Sequence, residues 1–126
     1  MRGELLAGID IGGTKIAAGI TDAAGEVRFR TRRPTPAASA DPEAVMGAVA
    51  DAVAELTAHP LWPSVRAVGV GCAGPLDASQ GTVGPINIPA WQDFPLLPRL
   101  RDLVGPSRPV GLAGDGVAMA AAEHWR

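Results

Sequence analysis

Two carboxylates and two glycine-rich loops have the residue types and spacing for phosphate chemistry. In the stretch GIDIGGTKIAAG, Asp10 stands where a buried strand should end, and a glycine pair, a threonine and a lysine follow it. Glycine lets phosphate oxygens approach main-chain N–H groups, while Thr14 adds a hydroxyl and Lys15 a positive charge. Asp10 could hold Mg²⁺ directly or through water. The alternative is a plain hairpin in which Asp10 accepts bonds from the turn.

The second carboxylate is Asp115, which follows a short apolar run and precedes an alanine-rich segment in PVGLAGDGVAMAAAEHW. As the N-cap of a helix it would be ordinary. A carboxylate at a strand's C-terminal end, beside a glycine-rich loop, is also where ligands bind in open α/β sheets. There it could accept the proton of a hydroxyl that attacks a phosphoryl group. The residues alone leave both interpretations open.

Two further stretches, GVGCAGPLD and GPINIPAWQDFPL, carry glycine and polar groups after a predicted strand. The glycines indicate close approach of the main chain to a ligand or another segment. The Asn87 amide can donate to and accept from a hydroxyl, and Trp91 is either a cap on the core or a stacking platform for a sugar. We interpret Cys72 as a packed thiol, since no conspicuous activating cluster adjoins it. His59 and His124 lie too far apart in the pattern to predict a metal site.

The apolar pattern predicts the element order β-β-β-α-β-α-β-α. Strands are expected over 4–11, 16–21, 27–33, 65–72 and 109–113, and helices over 42–57, 94–104 and 117–125. Asp41 is the expected N-cap of the first helix, with Pro42 at its first position. Residues 73–92 show no periodicity and are expected to form a long loop. Two hairpin connections followed by helical crossovers predict an α/β domain: a mixed five-stranded sheet with helices on both faces.

The third predicted strand alternates arginine with less polar residues. Arg28, Arg30 and Arg32 fall on one face, and residues 27, 29 and 31 fall on the other. We interpret the arginine row as a solvated face that discourages edge-to-edge pairing, rather than as an anion-binding surface.

Composition excludes several classes of protein. The chain has 126 residues, of which 47% are hydrophobic, and a net charge of −2, which predicts one soluble globular domain without a nucleic-acid surface. No apolar run approaches the roughly 20 residues of a membrane span, and no signal peptide is expected. The single cysteine cannot form an internal disulfide, which fits a cytoplasmic protein.

Taken together, the four stretches resemble the ROK family of bacterial sugar kinases and repressors, in the family's order and over nearly the whole chain. DIGGTK is similar to the family's phosphate loop, and GVGCAGPLD to its G-[IV]-G-x-P-G-x-[VL]-D stretch, with Ala73 where proline is usual. INIPAW resembles the N-L-P-G-W sugar loop. GDGVAMAAAEH resembles the N-D-x-N-x-A-A-x-x-E stretch, whose aspartate is the catalytic base.

The resemblance implies an actin-like, ribonuclease H-like domain and ATP- and Mg²⁺-dependent phosphorylation of a hexose or N-acetylhexosamine, glucokinase-like above all. Asp115 would be the catalytic base. The phosphate site would be formed by Gly12, Gly13, Thr14 and Lys15, with Asp10 as an indirect Mg²⁺ ligand. The sugar site would be formed by Gly74, Asn87, Gly114 and Asp115.

The sequence departs from the family pattern at two positions and in length. Gly114 and Val117 stand where the family usually has asparagines, and each lost amide removes a hydroxyl contact worth about 0.5–1.5 kcal/mol. Family members also carry a second domain with the adenosine pocket, a zinc-binding cysteine cluster and most of the dimer surface. We therefore expect residues 1–126 to be an N-terminal domain without zinc ligands, inactive by itself, from a protein that is a homodimer or larger.

Two alternatives lie within the same family. A ROK repressor carries a helix-turn-helix segment before the phosphate loop, and the nine residues before Asp10 argue against it. A non-catalytic sugar-binding protein is favoured by Gly114 and Val117. It is opposed by the presence of Asp10, the glycine pair and Asp115.

Overall fold

The computed structural model describes residues 4–72, 75–77 and 79–113. The first half contains β1 (Leu5–Ile11), β2 (Lys15–Asp22), β3 (Val27–Pro34), α1 (Pro42–Ala58), a 3₁₀ turn (Trp62–Ser64) and β4 (Val65–Cys72). The second half contains β5 (Leu76–Asp77), β6 (Thr82–Val83), α2 (Leu96–Val104) and β7 (Val110–Ala113). The helix predicted over 117–125 lies outside the described residues.

Five strands form one mixed sheet in the order β3-β2-β1-β4-β7, which confirms the predicted α/β class with a mixed five-stranded sheet. β1 pairs antiparallel with β2, and β2 with β3, because tight connections join them. β4 and β7 are reached through longer crossovers and run parallel to β1 and to each other. The carboxyl ends of β1, β4 and β7 therefore meet at one edge of the sheet.

The apolar core lies between one face of this sheet and both described helices. α1 begins as predicted: the Asp41 carboxylate accepts a hydrogen bond of 2.9 Å from the Glu43 N–H, and Pro42 occupies the first turn. α1 packs on β2, β3 and α2, and α2 packs on β7. The fully buried aliphatic side chains of this layer include Ile9, Ile20, Val49, Leu56, Val70 and Leu100.

The segment over 73–92, predicted as an irregular loop, contains a small hairpin. β5 and β6 pair antiparallel, and the Asp77 carboxylate closes their turn by accepting bonds from Ser79 and Gln80. Phe94 then exchanges two main-chain hydrogen bonds with Val83, so α2 begins at Leu96 rather than at 94. Strands of two residues have no apolar period, so the sequence pattern could not reveal this hairpin.

The arginine row lies on β3, an outer strand of the sheet. Arg28, Arg30 and Arg32 are all exposed, as predicted, and Arg28 pairs with Asp22 at 3.2 Å. Val27, predicted on the face opposite the arginines, is 45% exposed, and the β2–β3 register shifts beside it.

Candidate functional site

The glycine pair forms the tight turn between β1 and β2, at the carboxyl edge of the sheet. The Gly12 N–H donates to the Lys15 carbonyl at 2.9 Å, which closes the turn. Thr35 contacts the turn twice: its hydroxyl donates to the Gly12 carbonyl at 2.7 Å and its N–H to the Thr14 carbonyl at 2.9 Å. The N–H groups of Gly13 and Thr14 donate to no residue that the structure describes. Adjacent N–H groups on a glycine turn are suited to an anion.

Asp10 is the acidic residue of this edge. It lies two residues before the turn, on the sheet face opposite α1 and α2, in register with Ala17 on one side and Gly71 on the other. Both neighbours in register are small residues. The next residue in that row is Ala113 of β7, two strand spacings or about 10 Å from Asp10. Asp115 follows Ala113 by two positions and lies outside the described residues.

The loop that carries Asn87 packs directly on the glycine turn. A Cβ placed on Gly13 would lie 2.7 Å from Asn87 Cγ and Nδ2 and 2.8 Å from Asn87 Cβ. Real Cβ atoms do not approach other atoms so closely, so residue 13 can have no side chain while Asn87 stays in place. The structure thus brings together two predicted site residues that are 74 positions apart in the sequence.

Aromatic packing fixes the other end of the Asn87 loop. Trp91 is 1% exposed, stacks on Phe94 with ring centroids 4.4 Å apart, and donates from Nε1 to the Pro42 carbonyl at 3.1 Å. Its burial makes it part of the core, so the interpretation of Trp91 as a sugar-stacking platform is wrong. Fixed aromatic contacts at the start of α1 hold the loop against the sheet.

An ion pair supports this aromatic contact from the surface. Both Arg99 terminal nitrogens bond to the Glu43 carboxylate, at 2.7 and 2.9 Å, and the guanidinium lies 5.6 Å from the Phe94 ring centre. The hydrogen bonds from Arg99 lower the pKa of Glu43 and raise that of Arg99. No local sequence pattern indicates this pair, because its partners lie on different helices.

Of the remaining candidate residues, some are described by the structure and some lie outside the described part of the chain. Lys15 is exposed and makes no ion pair within the described part of the chain. Gly74, Gly114 and Asp115 lie outside the described residues. Cys72 is buried in the core, which confirms its interpretation as a packed thiol. Thr35 was missed because it lies between the predicted strand over 27–33 and the predicted helix over 42–57, where no motif singles it out.

The described residues contain neither a cluster of metal-ligating side chains nor a membrane-spanning helix. No group of three or more His, Cys, Asp or Glu side chains there could hold a metal ion. A Mg²⁺ ion at Asp10 would therefore need its other oxygen ligands from phosphate, from water or from residues beyond these. No helix of the described residues is long and apolar enough to cross a membrane.

Comparison with known proteins gives a consistent result. The model of the ROK family matches residues 6–126. The chain is 37% identical over 120 residues to an N-acetyl-D-glucosamine kinase of Salmonella paratyphi A, covering 94% of this chain and 37% of that protein. It is 36% identical over 120 residues to a glucokinase of Streptomyces coelicolor, covering 95% of this chain and 35% of the relative.

A solved structure gives the same assignment. The ROK glucokinase of Streptomyces griseus, in complex with glucose and AMPPNP, superimposes with a TM-score of 0.69 at 35% identity, over 87% of this chain and 33% of that one. The chain therefore spans about a third of the length of the relatives it matches. Its sheet and helices are those of the actin-like ATPase fold. By the family model and by these relatives, the chain belongs to the ROK family.

Proposed function

We propose that this chain forms one wall of the phosphoryl-transfer cleft of an ATP-dependent hexose kinase. The observation that carries the proposal is the contact between Asn87 and Gly13, which joins a loop suited to a sugar to a turn suited to phosphate. Phosphoryl transfer depends mainly on positioning and electrostatic stabilisation, so two binding loops in contact are what the chemistry requires. The kinase relatives named above support the same reaction class.

The phosphate side of the cleft consists of the β1–β2 turn. Gly13 and Thr14 offer N–H groups to phosphate oxygens, and Lys15 adds positive charge at the exposed end of β2. Gly12 contributes by shape, since its own N–H is engaged by Lys15. The Asp10 carboxylate fits a Mg²⁺ ion held through water, and that ion, when bound, would neutralise charge on the phosphates.

The sugar side consists of Asn87 and the segments that follow β4 and β7. The Asn87 amide binds a sugar hydroxyl, and the Gly74 main chain and Gly114 lie against the ring. Asp115 takes the proton of the attacking hydroxyl as that oxygen bonds to the γ-phosphorus and the bond to the β-phosphate oxygen breaks. The proton ends on the carboxylate and the leaving group is ADP.

The substrate class follows from the relatives. One phosphorylates N-acetyl-D-glucosamine by name and another is a glucokinase, so we propose a hexose or N-acetylhexosamine as the acceptor. The nucleotide's other wall, a structural zinc site and the surface of a homodimer or larger assembly would belong to a second domain. The protein would act in the cytoplasm. The 126-residue chain by itself would then have no appreciable kinase activity, because a kinase needs both walls to position ATP.

The test uses Asp115→Asn in the complete polypeptide that the gene encodes, assayed with ATP, Mg²⁺ and either glucose or N-acetylglucosamine. General-base catalysis contributes about 10²–10⁴-fold, so kcat should fall by that factor while sugar binding by calorimetry is retained. Asp51→Asn is the matched control, since Asp51 is 72% exposed in the middle of α1.

Three outcomes would contradict parts of the proposal. If Asp115→Asn leaves a measurable rate of phosphotransfer unchanged, Asp115 is not the base. If sugar binds but neither protein transfers phosphate above the uncatalysed rate, the non-catalytic sugar-binding alternative gains support. If the 126-residue chain alone turns over near the rate of the complete polypeptide, the second wall is not required.

A further inference from the structure

Thr35 holds both carbonyl groups that flank the candidate anion-binding N–H groups. Its hydroxyl donates to the Gly12 carbonyl at 2.7 Å, and its own N–H donates to the Thr14 carbonyl at 2.9 Å. It follows the last residue of β3 directly and is partly buried. One residue thus binds two of the carbonyl oxygens of the turn.

The hydrogen bond from the Thr35 hydroxyl to the Gly12 carbonyl also sets the direction of the Gly13 N–H. The Gly12 carbonyl and the Gly13 N–H belong to one planar trans peptide unit, in which they point in opposite directions. A carbonyl fixed toward Thr35 therefore aims the next N–H away from Thr35. Because glycine flanks this unit on both sides, rotation that exchanged N–H for C=O would meet little steric resistance without such a contact.

The two prolines beside Thr35 restrict its backbone conformation. Pro34 and Pro36 flank it, and a residue before proline is disfavoured in the helical region and pushed to extended geometry. The extended conformation continues the β2–β3 pairing, in which Lys15 and Pro34 are in register. Ordering Thr35 consequently costs little conformational entropy.

We propose that Thr35 is a positioning residue for phosphate binding: its hydroxyl locks the Gly12–Gly13 peptide so that the Gly13 N–H faces the bound anion. A carbonyl oxygen in the place of the Gly13 N–H would repel phosphate. The hydrogen bond from Thr35 to Gly12 should therefore affect phosphate binding more than folding. The phosphate role rests on the proposed function. The locking of the turn rests only on the two hydrogen bonds.

The experiment compares Thr35→Val, Thr35→Ser and the unaltered 126-residue chain, labelled with ¹⁵N. Valine has nearly the shape of threonine and keeps the main-chain N–H but lacks the hydroxyl, while serine restores the hydroxyl. Thr57→Val is the matched control, because the Thr57 hydroxyl donates to the Ala54 carbonyl within α1 and not to the glycine turn. Order parameters of the Gly13 and Thr14 amides are measured first, and then their shifts during titration with inorganic tripolyphosphate.

Loss of one neutral hydrogen bond predicts a rise of about three- to tenfold in the tripolyphosphate Kd for Thr35→Val. The Gly13 order parameter should fall from the rigid range, about 0.85, toward 0.6. Thr35→Ser and Thr57→Val should stay within about twofold of the unaltered chain.

Three other outcomes would overturn the inference or the proposed phosphate site. If Thr35→Val leaves the order of Gly13 and the Kd unchanged, the lock does not exist and the inference is overturned. If no chain binds tripolyphosphate while Thr35→Val still loosens Gly13, the lock is supported and the phosphate site of the proposed function fails. If the loosened turn binds tripolyphosphate as tightly as before, Thr35 orders the turn but does not position it for an anion, and the inference is overturned.

Discussion

Replacing Gly13 by alanine tests the contact on which the candidate site depends. The new Cβ would lie 2.7–2.8 Å from three Asn87 atoms, about 0.8 Å inside the 3.5 Å of an ordinary carbon contact. Asn87 Cβ is one of these atoms, and a side-chain rotation cannot move a Cβ. The loop main chain must therefore shift, and overpacking of this kind typically costs about 1–3 kcal/mol.

The cost should vanish when Asn87 loses its side chain. Gly13 does not have a positive φ, so alanine fits its backbone without strain. In an Asn87→Gly background we expect Gly13→Ala to be neutral, or stabilising by about 0.4–1 kcal/mol through the unfolded chain. An Asn87→Ala background keeps the Cβ contact and should relieve only part of the cost. The double-mutant coupling between positions 13 and 87 is then about 1–3 kcal/mol.

Urea unfolding followed by far-UV circular dichroism and tryptophan fluorescence measures this coupling, and coincident transitions would justify two-state analysis. Trp91 is a suitable probe because it is buried in the Asn87 loop. A coupling below about 0.3 kcal/mol, the usual limit for independent sites, would show that Asn87 does not lie against Gly13. The proposed contact between the Asn87 loop and the glycine turn would then be refuted.

Two further predictions concern stability. Gly47 is an exposed glycine inside α1, with open space where a Cβ would stand. Gly47→Ala should therefore stabilise the chain by about 0.5–1 kcal/mol, measured as a higher urea midpoint at unchanged m-value. An unchanged midpoint would mean that residue 47 is not helical. The pKa of Asp22 is lowered, first by the Glu26 N–H, and that of Glu43 by Arg99, so the unfolded chain binds more protons than the folded one near pH 4. The stability that these two carboxylates contribute is complete above their ordinary pKa of about 4 and is lost as the pH falls. The urea midpoint should therefore drop between pH 5 and 3, and it should drop less steeply in Asp22→Asn. An equal slope in both proteins would contradict the role of Asp22.

Local sequence rules predicted much of the secondary structure. β1 and β4 are short apolar runs, and α1 combines an Asp41 N-cap with an apolar face at helical spacing. Such signals work because they act within a few residues of the chain, through alternation, capping and backbone preference. The same rules failed at β5 and β6, whose two-residue strands pair with each other and with Phe94 through Val83, contacts that no local pattern indicates.

The residue types of the candidate site were also readable in the sequence, as glycine turns, carboxylates and one amide. The positions of these residues relative to one another could not be predicted from the sequence. Asn87 reaches Gly13 because the loop after β6 folds back over the sheet edge, and Trp91 holds it there by burial and by one bond to Pro42. Trp91 had two interpretations until its surroundings were known, since a ring suited to a sugar is equally suited to the core.

The order of the elements and the residue types at the ends of the strands could be predicted from the chain alone, because both follow from interactions between near neighbours. Tertiary structure alone decided which of those ends meet. The pairing of β1 with β4 and of β4 with β7 places Asp10 one strand from Gly71 and two from Ala113. Thr35 reaches the Gly12 carbonyl across 23 positions for the same reason: sheet register fixes contacts between residues that no local pattern relates.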